Sequence, residues 1–480
     1  MRPILFASGL PSAVRATEFL PTDRGETTSM SQPAAAPPAI SNRHPRGFWF
    51  FFWGELAERC SYYGMNAILL LYMTDTLKFA KPDASFFLNL FIAGCYFAPL
   101  LGGFIADRFL GKYWTIVLFS VPYVIGNALM VVPSVYTLAG ALVILALGSG
   151  VIKPNISTLM GMTYDQQRPG QDLLRSQAFT WFYWAINIGS LISMTGMPLL
   201  RDQVGPNLAF LLPTILMATA LLIFALGKRY YAVETLTHPE KTPEERAAQW
   251  KAVGRLLGIF VLITVFWAIF KQSASTWVGF PRDRVDPRLA FDILGWKFDR
   301  TFAPDQFQFL NALFVLTLLP LSTVVFAWLQ RRGTSMRPTD KMQLGFAFTF
   351  IVPVLFVLAD QTAGAGKANL IWIVGIFFCI TVAEVLISPV GLELAFIAAP
   401  KSIKSFITAC FLLTVGIASL INAVVTPWYT RTDSSGERLI APTTYFTAHA
   451  VVVAVAFVAF FFIARPFNRA LAGKQQTEAH

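Results

Sequence analysis

Gly54-Glu55-Leu56-Ala57-Glu58-Arg59-Cys60-Ser61-Tyr62-Tyr63-Gly64-Met65-Asn66 lies inside an apolar run at 48–75. A run of that length spans a bilayer, for which ~20 residues suffice. Yet three charges sit near its middle, and each costs several kcal/mol at bilayer depth. At ~100° per residue Glu55, Glu58, Arg59, Tyr62 and Asn66 share one narrow stripe. That stripe must face an interior cavity, so other helices have to enclose it. Tyr63 flanks the stripe, and Gly64 admits a close neighbour.

Composition supplies those helices. Of 480 residues, 55% are apolar, 14% aromatic and only 14% charged, and mean hydropathy is +0.56. Soluble proteins carry roughly 25% charged residues, so a large soluble domain is excluded. Apolar runs long enough to span fall at 48–75, 86–106, 113–132, 136–160, 176–200, 208–227, 254–278, 308–330, 343–360, 370–397, 403–425 and 443–464. The expected fold class is therefore an all-α integral membrane protein of about twelve helices in two six-helix bundles, 47–227 and 254–465. Between them, 228–253 is polar and basic and reads as a cytosolic linker. A disordered N-terminal tail is expected at 1–46, with Met30 as an alternative start, and a short cytosolic tail at 466–480. No secretory signal is evident in the N-terminal stretch.

Net charge is +11, and its placement carries the information. Arg43, Arg46, Arg108, Lys112, Lys228, Arg229, Arg331, Arg332, Lys401 and Arg465 fall in one set of loops. In the other set, about half as many basic residues are offset at 279–305 by Asp283, Asp286, Asp292 and Asp299. The positive-inside rule then puts both termini in the cytosol of a plasma (inner) membrane. No basic block suited to nucleic acid occurs. Cys60, Cys95, Cys379 and Cys410 sit in apolar runs as packing residues, without a disulfide or metal pattern. His-Glu-x-x-His and phosphate-loop motifs are missing, so neither an enzyme nor a bound cofactor or metal is expected.

Two six-helix halves joined by a basic linker give the outline of a major facilitator transporter, built around a midplane site. Gly103-x-x-x-Asp107-Arg108-x-x-Gly111-Lys112, after the second helix, resembles that superfamily's signature, which assigns Asp107 and Arg108 to a gate at the cytosolic face. Glu55-Leu-Ala-Glu58-Arg59-Cys60-Ser-Tyr62-Tyr63-Gly64 resembles the Glu-x-x-Glu-Arg-Phe-x-Tyr-Tyr-Gly motif of the proton-dependent oligopeptide transporter family, with Cys60 in place of Phe. Further blocks follow in family order: Gly148 to Ser157 with Lys153-Pro154, Phe182 to Ser190 with Asn187, Phe266-Trp267 with Gln272, Gln306-x-Gln308-x-x-Asn311, and Glu384 to Glu393.

The resemblance implies a symporter moving di- and tripeptides with protons by alternating access, its partners being peptides, protons and lipid, with no obligate protein partner. It implies coupling through Glu55, Glu58, Arg59 and Lys153, to which Lys271 is added because burial would disfavour its charged form and let it titrate. Arg59 can grip a carboxylate bidentately and Glu384 can pair with an ammonium. Tyr62, Tyr63, Tyr96, Lys153, Asn187 and Asn311 would complete the substrate site, and Glu393 a gate contact. Transport of a nitrate-like anion or drug-like solute is the alternative, since plant relatives use the same motifs. Simpler roles stand beside these: helix-joining amides for Asn187 and Asn311, packing for Tyr96, and snorkelling for Lys153 and Lys271.

Two positions depart from the family. Asn66 replaces its usual Arg and Lys271 its usual acid, so the salt bridge those residues form between the halves cannot be made here. Lys271 then needs a new partner, and Glu55 or Glu58 is expected to provide it.

Overall fold

The computed structural model describes residues 43–234, 242–293, 296–334, 336–398, 404–435 and 437–478. The tail expected at 1–46 thus lies almost entirely outside the described residues. Twelve long helices run through the remainder. The first six are α1 (Arg46–Leu71), α2 (Lys81–Ile105), α3 (Gly111–Leu129), α4 (Val135–Gln167), α5 (Asp172–Val204) and α6 (Leu211–Leu226). The second six are α7 (Pro243–Phe270), α8 (Phe309–Arg331), α9 (Pro338–Ala363), α10 (Ile371–Ala398), α11 (Lys404–Thr430) and α12 (Pro442–Glu478).

Among the described residues nine helical segments are apolar and long enough to cross a membrane, and one of them, Lys81–Leu129, holds both α2 and α3. The two helices that fall short are α1 and α5. No membrane-length window of α1 avoids Glu55, Glu58 and Arg59, while Asn187, Ser190, Ser193 and Thr195 dilute α5. These two are driven inward together. Gly189 of α5 lies so close to α1 that an added Cβ would stand 2.9 Å from the Leu56 carbonyl oxygen and 3.2 Å from Arg59 Cβ. Cys60 Sγ donates to the Gly189 carbonyl at 3.4 Å.

Each half buries its own core, with Phe51, Tyr123, Tyr164 and Phe224 in the first and Phe266, Phe280, Phe356 and Phe460 in the second. The halves meet along α2 against α11 and α5 against α8. With twelve alternating helices, the start of α1 and the end of α12 share one end of the molecule, the terminal end.

Three segments carry structure that the apolar runs do not show. Helix α7 starts at Pro243, inside the presumed linker, because proline followed by Glu244 and Glu245 suits a helix N-terminus. The last helix runs on to Glu478, through the segment expected as a tail. At the end opposite the termini, 279–305 is no plain loop. A short helix, Thr276–Arg284, leads into an antiparallel hairpin of β1 (Arg288–Ile293) and β2 (Trp296–Thr301), with Arg288 opposite Thr301. The fold is all-α apart from this one small hairpin, whose alternation of Leu289, Phe291 and Ile293 with polar or small residues has the period of a strand. The hairpin is tied to the second half where Asp286 N donates to the Ala368 carbonyl at 2.9 Å and Arg284 Nε to Asp360 at 2.6 Å.

Candidate functional site

Helix α1 places Glu55, Glu58 and Arg59 at the centre of the first half, all three buried. Arg59 Nε stands 2.8 Å from Glu55 Oε1, and its Nη2 stands 2.5 Å from Glu58 Oε2. The pairing is one of charge more than of aligned hydrogen bonds. Glu55 Oε2 and both Glu58 oxygens are buried without a hydrogen-bond donor among the described residues. A carboxylate so placed is under-solvated, and a proton is the smallest group that relieves it.

Around this cluster stand aromatic rings and one lysine. Tyr62 and Tyr63 pack edge to face at 5.3 Å. Lys153 Nζ lies 3.9 Å from the centre of the Tyr62 ring and 5.4 Å from that of Tyr96. Pro154 sits within α4 directly after that lysine. The second half contributes Glu384, whose Oε2 accepts from Asn311 Nδ2 at 2.8 Å; Asn311 also donates to Thr381 Oγ1 at 3.1 Å. Asn311 is thus the partner of Glu384, joining α8 to α10. Asn187 turns its amide back to the Tyr183 carbonyl of its own helix at 2.9 Å.

Lys271 does not meet a glutamate of the first half in this conformation. Glu55 and Glu58 are taken up by Arg59, and Lys271 pairs with neither. Its Nζ donates to the Tyr96 hydroxyl at 3.3 Å and lies 5.0 Å from the centre of that ring and 5.6 Å from the Trp267 ring. The reason lies in the backbone. After Phe270 the helix tightens into a single turn, Lys271–Ala274, and Gln272 pins that turn to α12. Gln272 Nε2 contacts His449 Nε2 at 2.8 Å, and its Oε1 accepts from Tyr445 at 3.1 Å and from Thr276 at 2.8 Å. With Gln272 held inside the second half, its neighbour Lys271 is presented to α2 of the first.

The residues expected as gates are dispersed. Asn66 is buried, and its Oδ1 has no donor among the described residues. Asp107 pairs with Lys112 of its own half, and Arg108 is exposed without an ion pair among the described residues. Glu234 completes that corner by accepting from Lys112 N at 2.6 Å and Tyr113 N at 2.9 Å, which caps the start of α3. The backbone of Glu393 belongs to α10, but its side chain lies outside the described residues.

Contacts that sequence reasoning missed join the halves at the hairpin end. Asp75 pairs with Arg282 at 3.0 Å, Lys81 with Asp283 at 3.8 Å, and Arg201 of α5 with Asp305, whose side chain is fully buried. Arg201 and Asp305 stand 104 residues apart in the chain. Only their shared position, each at the end of an apolar run, hinted at a meeting.

Residues 113–242 and 233–445 match a family model described as the POT family. Peptide transporter family 1 of Drosophila melanogaster is 34% identical over 352 residues, covering 63% of this chain and 46% of that protein. Solute carrier family 15 member 1 of Homo sapiens is 31% identical over 379 residues, covering 66% and 51% respectively. The chain spans about half the length of these curated relatives. Among solved structures, the POT family transporter PepTSo superposes with a TM-score of 0.78 at 26% identity, covering 89% of this chain and 99% of that one. An auto-inhibited POT family peptide transporter superposes at 0.75 with 26% identity, covering 88% and 97%.

Proposed function

This chain belongs to the POT family, a transporter family of major facilitator fold, and from that premise we propose that it is a proton-coupled symporter importing di- and tripeptides by alternating access. The observation that carries the reading is the buried Glu55–Arg59–Glu58 cluster, in which three of the four carboxylate oxygens have no hydrogen-bond donor among the described residues. A proton arriving on Glu58 cancels one of the two charges holding Arg59 and frees the planar guanidinium to grip a peptide carboxylate bidentately. Glu384, which accepts a hydrogen bond from the neutral amide of Asn311, exchanges that amide for a peptide ammonium. Tyr62, Tyr63 and Tyr96, with Asn187, offer neutral hydrogen bonds to the peptide backbone, which all peptides share. Lys153 and Lys271 complete the charged set through which substrate and proton sense one another.

The terminal end, where Arg108, Lys112, Lys228 and Arg229 gather, is assigned to the cytosol of the plasma membrane. The hairpin end then faces outward, and its inter-half ion pairs make this an outward-closed state. Asn66 lies on the gating path near that end. Asp107 and Arg108, with Glu393, gate the cytosolic end. Uptake of a labelled dipeptide into proteoliposomes tests the reading directly. An inward proton gradient is expected to drive accumulation, and equal rates after collapse of both pH gradient and membrane potential would overturn it.

A further inference from the structure

Lys153 and Lys271 come from opposite halves, yet both bring an ammonium group against Tyr96, at 5.4 and 5.0 Å from its ring centre. Neither makes an ion pair among the described residues, since Arg59 occupies Glu55 and Glu58, and Asn311 occupies Glu384. The faces of Tyr62, Tyr96 and Trp267 and one phenol hydroxyl ease the burial of these cations, while the glutamates act on them only from beyond ion-pair distance, Glu55 and Glu58 on Lys153 and Glu384 on Lys271. Two ammonium groups sharing one ring in a water-poor interior also repel one another. An anion between them would remove both costs and tie the halves together through a single group.

Resting on the peptide reading above, we propose that Lys153 and Lys271 form a second anion subsite, which makes the transporter selective for peptides with an acidic side chain. Charge balance in the site supports this occupant. Arg59, Lys153 and Lys271 oppose Glu55, Glu58 and Glu384, so the six groups sum to zero when all are ionised. A coupling proton on a glutamate leaves the site with one excess positive charge, and a zwitterionic dipeptide adds none of its own. An aspartate or glutamate side chain restores neutrality while its α-carboxylate is left to Arg59. The subsite is also spread over both halves, so an acidic side chain holds them in one relative position as it binds.

Ala-Glu and Ala-Gln are nearly isosteric and differ by one charge, so binding of each to the purified full chain reads the subsite directly. Ala-Glu is expected to bind about tenfold more tightly or better, Lys271→Gln to bring that ratio near one, and Lys271→Arg to keep it. Equal affinities in the unsubstituted protein would overturn the subsite while leaving the peptide reading standing, because both peptides bind. A preference that survives in Lys271→Gln would also overturn it, by placing the anion elsewhere. If neither peptide binds, the peptide reading fails and takes the subsite with it.

Discussion

Arg59 holds two carboxylates with one guanidinium, and this double duty sets what its replacements should do. Lysine preserves the charge but loses the fork, so it can serve Glu55 or Glu58 but not both in plane. We expect Arg59→Lys to weaken dipeptide binding at least tenfold, or ~1.4 kcal/mol, measured by equilibrium binding at neutral pH. Affinity within twofold of the unsubstituted protein would mean that the fork is idle. Glu58→Gln separates two functions of one carboxylate. An amide keeps the shape and can accept a hydrogen bond but cannot take up a proton. Counterflow of peptide against peptide should therefore persist in this variant while gradient-driven accumulation falls by an order of magnitude or more. Parallel loss of both would assign Glu58 to substrate binding instead of coupling. At this scale much was legible in advance, because a charge inside an apolar run declares itself by its cost. Partnerships were less legible. Lys271 was read as the partner of a glutamate because opposite charges attract, and nothing in the sequence showed that Gln272 would be anchored to α12 and turn its neighbour toward Tyr96.

At the scale of elements, the decisive contact is between the end of α5 and the segment entering α8. Burial pushes the Asp305 carboxyl up to about 6, and the Arg201 guanidinium offsets part of that rise. If opening the hairpin end exposes Asp305 to water, its value returns toward the ordinary ~3.9 of a free aspartate. Between those values the closed form binds more protons than the open one. Protonation therefore favours closure: its contribution is fully present below about 4, and is lost as pH rises through about 6. Distances between spin labels placed on the two halves at the hairpin end should report a larger closed population at pH 5 than at pH 7. Asp305→Asn, which cannot titrate, should flatten that dependence. A dependence of unchanged size in the variant would assign the pH response to another group. The direction suits import, since acid outside would help to shut the outer gate behind an arriving proton and peptide. The exposed pairs Asp75–Arg282 and Lys81–Asp283 add little, as surface ion pairs contribute ~0–1 kcal/mol. Helix positions were readable from apolar runs, whereas the hairpin at 288–301 was not. Its two six-residue strands lie among aspartates and arginines that resemble any exposed loop, and only pairing distinguishes them.

For the whole molecule, the twelve-helix outline followed from apolar length, but how tightly two rigid halves fit is a property that no single run displays. In the proposed cycle the two halves, each with most of its core to itself, tilt against one another without repacking either. The fit along α2 and α11 therefore governs how they rock. At Gly416 of α11 an added Cβ would stand 3.0 Å from the Phe97 ring and 3.3 Å from Tyr96 Cβ, both on α2. The same Tyr96 receives the hydroxyl contact from Lys271, so a wedge at Gly416 acts on the interface and on the substrate site together. Alanine demands a shift of a few tenths of an ångström and should slow uptake about twofold to threefold. Leucine cannot be absorbed by two aromatic neighbours in a close-packed interface, where overpacking costs ~1–3 kcal/mol. Because the wedge lies between the halves and not within either core, Gly416→Leu should still yield a monodisperse protein of unchanged helicity, while uptake falls more than tenfold and the hairpin-end label distance lengthens. Normal uptake by the leucine variant would show that α2 and α11 do not stay in contact through the cycle, and that the halves separate there as they move.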